Sequence, residues 1–138
     1  MSHFWTVSVL RFVSSFFIIA VCVGIYSYPG GNIHDVNQVG YSLTHNFLSD
    51  LGGYQSHSGD VNFIASFFFN VGMFLFAAVG IGFLYVPALF REDRVNYYLA
   101  IVGSALFFLG TSFFAGVGLT PYDLYLDLHV FFAINAFR

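Results

Sequence analysis

FVSSFFIIAVCVGIY, residues 12–26, carries no charge and does not alternate between apolar and polar positions. A strand of a membrane barrel must alternate, because one face meets lipid and the other the lumen. A continuously apolar run instead reads as a helix that satisfies its backbone internally within hydrocarbon. With its flanks the run extends from about Trp5 to Tyr28, and it lacks the A-x-A-like site of a cleaved leader. A helix needs ~20 apolar residues to cross ~30 Å of hydrocarbon. Two further runs, about Val61 to Phe90 and Val95 to Leu119, also reach that length. A fourth begins near Tyr122, includes HVFFAINAF and stops at Arg138. The expected fold is all-α: a polytopic transmembrane helical bundle of one domain, with three full spans plus the start of a fourth. An apolar helix that ends mid-phase, without a cap or tail, reads as the front part of a longer chain.

Composition agrees with a lipid solvent. Of the 138 residues, 58% are hydrophobic and 8% are charged, against about 25% charged in soluble domains. There is no Lys, and the cations are Arg11, Arg91, Arg94 and Arg138. A net charge of −3 gives no basic face for nucleic acid. The single cysteine, Cys22, can form no intrachain disulfide.

The arginines orient the bundle. Arg11 opens the first span, and Arg91 and Arg94 lie in the short REDR connection between the second and third. Residues 29–60 contain neither Arg nor Lys. The positive-inside rule then makes the N-terminus, with His3, cytoplasmic, and puts residues 29–60 and 120–127 outside. The outer side gathers His34, His45, His57 and His129 with Asp35, Asp50, Asp60, Asp123 and Asp127. Carboxylates without a cation need solvation, hydrogen bonds or a bound metal.

Within the first outer connection, YSLTHNFLSDLGG (41–53) reads as a short amphipathic surface helix. Leu43, Phe47 and Leu51 would share one face, and Gly52 and Gly53 would end it. Asn62, Ser66 and Asn70 recur every four residues at the start of the second span. Such a polar stripe should turn away from lipid, toward other helices. Ala20/Gly24, Ala78/Gly82, Thr111/Ala115 and Ser112/Gly116 are small pairs suited to close helix packing. A fourth helix starting near Tyr122 would put Asp123 and Asp127 on one face, near its positive dipole end.

YPGGN (28–32), GYSLTHNFLSDLG (40–52), Gly59-x-x-Asn62, GLTPYD (118–123) and His129 together resemble the bacterial and archaeal membrane family catalogued as domain of unknown function 998. The resemblance covers nearly the whole chain. It implies a prokaryotic cell membrane and about six helices, and it implies no settled activity. A more distant likeness is to membrane hydrolases related to alkaline ceramidase, which combine Ser, Asp and three His around zinc. This chain lacks their H-x-x-x-H pair.

Two function classes follow. In the first, the outer polar cluster is structural or binds a small or lipidic ligand through His45, Asn46, Asp50, Asn62, Asn70 and Asp127. Such a protein could stand alone in the bilayer, self-associate or serve as one subunit of a membrane assembly. In the second, a metal-dependent hydrolase acts on a lipid-like substrate at the outer leaflet. His45, Asp50, Asp127 and His129 would then hold zinc or another divalent cation. Ser49, Asp50 and His129 would be its catalytic candidates. Alternatively, His45 and Asp50 only cap the surface helix and tie it to the loop near Asp127.

Overall fold

A computed structural model describes residues 4–137; the terminal His3 and Arg138 lie outside the described residues. The chain opens in a π-helical turn, Phe4–Val9, that runs into helix α1, Leu10–Ser27. Helix α2 is Phe63–Phe83, α3 is Arg94–Leu119 and α4 is Leu126–Ala136. Three of these segments, Val7–Ser27, Phe63–Phe90 and Arg94–Leu119, are long and apolar enough to cross a membrane. The fourth helix is shorter, at 11 residues.

The second apolar run is not one regular helix. α2 stops at Phe83, and a 3-10 turn over Val86–Phe90 carries the chain to the arginine-bearing connection. The N–H groups of Leu84 and Tyr85 bond the carbonyls of Ile81 and Gly82, a tightening of the last turn. Pro87 then supplies no N–H with which to continue the α-helix. α3 starts where the sequence offers a cap. The Asp93 carboxylate accepts from Val95 N at 3.0 Å and Asn96 N at 3.2 Å. These donors have no partner inside the helix, so the carboxylate fixes its first residue.

α2 packs between α1 and α3, and α4 folds back on α3. Glycines allow the close approaches. A Cβ on Gly80 would run into Thr111 and Phe108 of α3, and one on Gly72 would meet Phe17 of α1 at 3.0 Å. The outer faces keep large apolar side chains exposed: Ile18, Leu99 and Leu106 are each 64% exposed. In water such a surface would associate; in hydrocarbon it is an ordinary one.

The segments 28–62 and 120–125 come together at one end of the bundle and cap it. The Asp123 carboxylate accepts from Tyr54 N at 3.0 Å and Gln55 N at 2.8 Å, joining the two connections directly. In consequence Asp123 does not belong to α4, which begins later, at Leu126; only Asp127 occupies its first turn.

The surface helix expected over 41–51 is replaced by turns at 43–46 and a 3-10 turn, Leu48–Gly52. Asn46 is the cause. Its Oδ1 accepts from Ser42 N at 3.0 Å and from Gln38 Nε2 at 2.9 Å, and its Nδ2 donates to Gly31 O and Asp50 Oδ2. A side chain that binds the backbone this way competes with helix formation. The expected apolar face separates accordingly: Leu43 is 80% and Phe47 61% exposed, whereas Leu51 is fully buried. Leu51 plugs the core beside Gly24 of α1, among Tyr28, Ala65, Phe69, Met73 and Val117.

Gly118 should be the least replaceable small residue in the α2–α3 seam. A Cβ there would lie 2.6 Å from the Asn70 carbonyl oxygen and 2.8 Å from Met73 Cβ. Neither atom sits at the end of a flexible side chain. Gly118→Ala should destabilise the folded chain by about 1–3 kcal/mol, read as a lowered thermal midpoint in detergent. Gly103→Ala, which meets nothing within 4 Å in the interior of α3, should not lower it.

Candidate functional site

The polar stripe of α2 faces the cap and seizes its backbone. Asn62, at the N-terminal end of α2, directs Nδ2 toward the carbonyls of Leu51 at 3.1 Å and Gly53 at 3.0 Å, with Asp50 O at 3.5 Å. Two turns on, Asn70 Nδ2 donates to Gly52 O at 2.9 Å. Ser66, between them, bonds only the Phe63 carbonyl of its own helix. Carbonyls in an apolar interior require such donors. The stripe thus serves helix-to-loop contacts where helix-to-helix ones were expected.

This approach requires glycine at 52 and 53. A Cβ on Gly52 would lie 2.7 Å from Asn70 Oδ1 and 2.9 Å from the Phe69 ring, and one on Gly53 would enter the Tyr122 ring. Neither glycine adopts positive φ. Their role is close packing, and not the left-handed helix stop read from the sequence.

Asp50 is buried and still finds partners. Its Oδ2 accepts from Asn46 Nδ2 at 2.9 Å and Phe47 N at 3.0 Å. Its Oδ1 lies 3.3 Å from His57 Nε2, a close contact without the alignment of a hydrogen bond. His57 in turn donates its backbone N–H to the Tyr28 hydroxyl at 3.2 Å and stacks on the Tyr122 ring at 5.4 Å. The Tyr122 hydroxyl donates to Gln55 O at 3.3 Å. Burial, chiefly, pushes the Tyr28, Tyr41 and Tyr122 phenols above their ordinary value; the Asp50 carboxylate adds to it in all three.

His129, in α4, is 6% exposed. Its Nδ1 lies 2.7 Å from the Thr120 carbonyl. A carbonyl only accepts, so Nδ1 carries a proton, and Nε2 is the ring nitrogen left to act as the acceptor whenever it carries none. The ring packs edge-on to Tyr122. It also lines a cavity of about 380 Å³ between the four helices and the 47–49 segment. Phe69, Met73 and Val117 form buried walls, and Phe47 and Phe137, 61% and 81% exposed, form the rim. Ser49 is the other hydroxyl-bearing or ionisable side chain on that wall.

The remaining candidates lie elsewhere. His45 is exposed and its Nδ1 contacts the hydroxyls of Ser42 and Thr44. Asp127 is exposed on the first turn of α4. Among the described residues no three His, Cys, Asp or Glu side chains converge to hold a metal. His45, Asp50, Asp127 and His129 therefore do not form one coordination shell. The tie between the connections runs from Asp123 to Tyr54 and Gln55, in place of His45 and Asp50 to the loop near Asp127.

His57, Tyr28 and Tyr122 carry the cap, and none stands out in the sequence. His57 reads as a solvated loop residue because its partners are remote in the chain, and no local period marks it. The sequence marks this place only by the glycine pair Gly30 and Gly31; in the fold Gly31 has φ +79°, and a Cβ there would press into Ser58 N and His57.

No protein family, no curated protein and no solved structure matches this chain.

Two outcomes follow. Asp50→Ala strands the Asn46 amide, the Phe47 N–H and His57, and should destabilise the chain by about 3 kcal/mol; Asp50→Asn, which keeps one acceptor, should cost less. Thermal unfolding in detergent at neutral pH tests the ranking. The raised phenols predict the alkaline limit. A raised folded-state value favours the neutral phenol, so its stabilisation is whole below pH 10.0, the ordinary value, and is lost as pH rises above it. The thermal midpoint should fall above pH 10.0, and less steeply in Tyr122→Phe.

Proposed function

We propose that this chain is a multipass membrane protein that binds a lipidic ligand in the cavity beneath its cap. The cavity carries the reading. At about 380 Å³ it falls within the range of small-ligand sites, is lined almost wholly by apolar side chains, and holds two polar groups, Ser49 and His129. That mixture suits an alkyl or isoprenoid tail with a small polar end. The exposed rim at Phe47 and Phe137 offers the tail a way in from surrounding hydrocarbon.

The orientation belongs to the same proposal. Arg11, Arg91 and Arg94 sit at the ends of the helices away from the cap, which supports a cytoplasmic N-terminus and a cap on the outer side. The likeness of GYSLTHNFLSDLG and GLTPYD to a bacterial and archaeal membrane family supports a prokaryotic cell membrane. A ligand held there would be drawn from the outer leaflet.

Filling the cavity tests the reading. Ala133 lies on its wall, so Ala133→Trp should abolish saturable binding of a fluorescent long-chain probe to the detergent-solubilised full chain. Leu99→Trp, on the exposed face of α3, should bind as the parent does. Equal binding by all three proteins would refute the site.

A further inference from the structure

On the reading that the cavity holds a lipidic ligand, we infer that the ligand's head is a neutral hydrogen-bond donor, an alcohol or phenol, and not a carboxylate or phosphate. His129 sets this choice. Its Nδ1–H is spent on the Thr120 carbonyl at 2.7 Å. Among the described residues no protein group bonds its Nε2, although the residue is only 6% exposed and borders the cavity. Nε2 is not sealed off by protein, so a donor can reach it, and an acceptor beside an apolar cavity gains from one. A hydroxyl on the ligand would supply that donor, and its oxygen could accept from the Ser49 hydroxyl, which has no partner among the described residues either.

The charges at this end of the bundle point the same way. Asp50 is the chain neighbour of Ser49, Asp123 and Asp127 flank the start of α4, and no Arg or Lys occurs between Tyr28 and Asp60 or between Arg94 and Phe137. An anionic head entering there would meet carboxylates with no cation to offset them. A cationic amine would be drawn by the carboxylates, yet it has no lone pair to take a proton from Ser49 and would leave its charge in a cavity walled by Phe17, Phe69 and Phe76. The neutral donor alone satisfies both polar groups without bringing in a charge.

The test holds the tail constant and varies the head. A conjugated polyene chain of the parinaric type is prepared as the alcohol, the methyl ether, the carboxylate and the primary amine. Each is titrated by fluorescence into the full chain in detergent at pH 8. The alcohol should bind about fivefold more tightly than the ether, the increment of one hydrogen bond, and more tightly than either charged form. His129→Leu should erase the preference of alcohol over ether. Should that variant fail to fold, the imidazole ¹⁵N signal of His129 in the parent protein decides the matter: Nε2 should move upfield on adding the alcohol and stay in place on adding the ether. Saturable binding with no preference among heads, or with the carboxylate or amine tightest, overturns the inference and leaves the lipid site standing. Absence of saturable binding by every probe overturns both.

Discussion

The backbone carbonyls of residues 50–53 lie in an apolar interior and must be given donors, and the arrangement of the cap follows from that need. Two asparagine amides on one face of α2, Asn62 and Asn70, supply them. Because the donors sit two turns apart on a rigid helix, the chain from Asp50 to Gly53 has to run along that face. Leu51 is thereby driven into the core against Gly24 and Phe69. The same run presents Asp50 to Asn46 and His57, and Gly53 to Tyr122.

A buried carboxylate in a chain without lysine raises the question of what balances it. For Asp50 the answer lies in neutral dipoles and one imidazole, from Asn46, the Phe47 N–H and His57. The acid so held is an organiser of turns. It joins the 3-10 turn at Leu48–Gly52 to the segment carrying His57, and His57 joins both to Tyr28 at the end of α1. His129 stands apart from this knot: its ring touches Tyr122 on one side and borders the cavity on the other. The histidine of the cap and the histidine of the cavity wall are thus separated by a single aromatic side chain.

Features set by neighbours in the chain were legible in the sequence. The apolar runs mark the three helices long and apolar enough to cross a membrane, and α3 ends at Leu119 as its pattern implies. Features set by remote partners were not. Apolar spacing favours a helix over 41–51, but the Asn46 amide, bonding Ser42 and Gly31, decides otherwise. Gly52 and Gly53 carry the composition of a helix stop, but what forbids a side chain there is Phe69, Asn70 and Tyr122. Asn62, Ser66 and Asn70 form one polar face by their spacing, but that spacing does not say that a loop meets two of them. Residue type alone groups Ser49, His129 and Asp50, yet Asp50 turns into the cap and the other two border the cavity.

The Asp123 carboxylate grips backbone 68 and 69 positions earlier in the chain. During synthesis the N-terminal part emerges first, so residues 53–55 must wait, unlatched, until the third long helix has been made and its following turn has appeared. At this end of the molecule the clasp therefore closes late, after the third long helix has been made. Before that step the Phe69 and Met73 walls stand uncovered, so the cavity between them is completed by assembly itself.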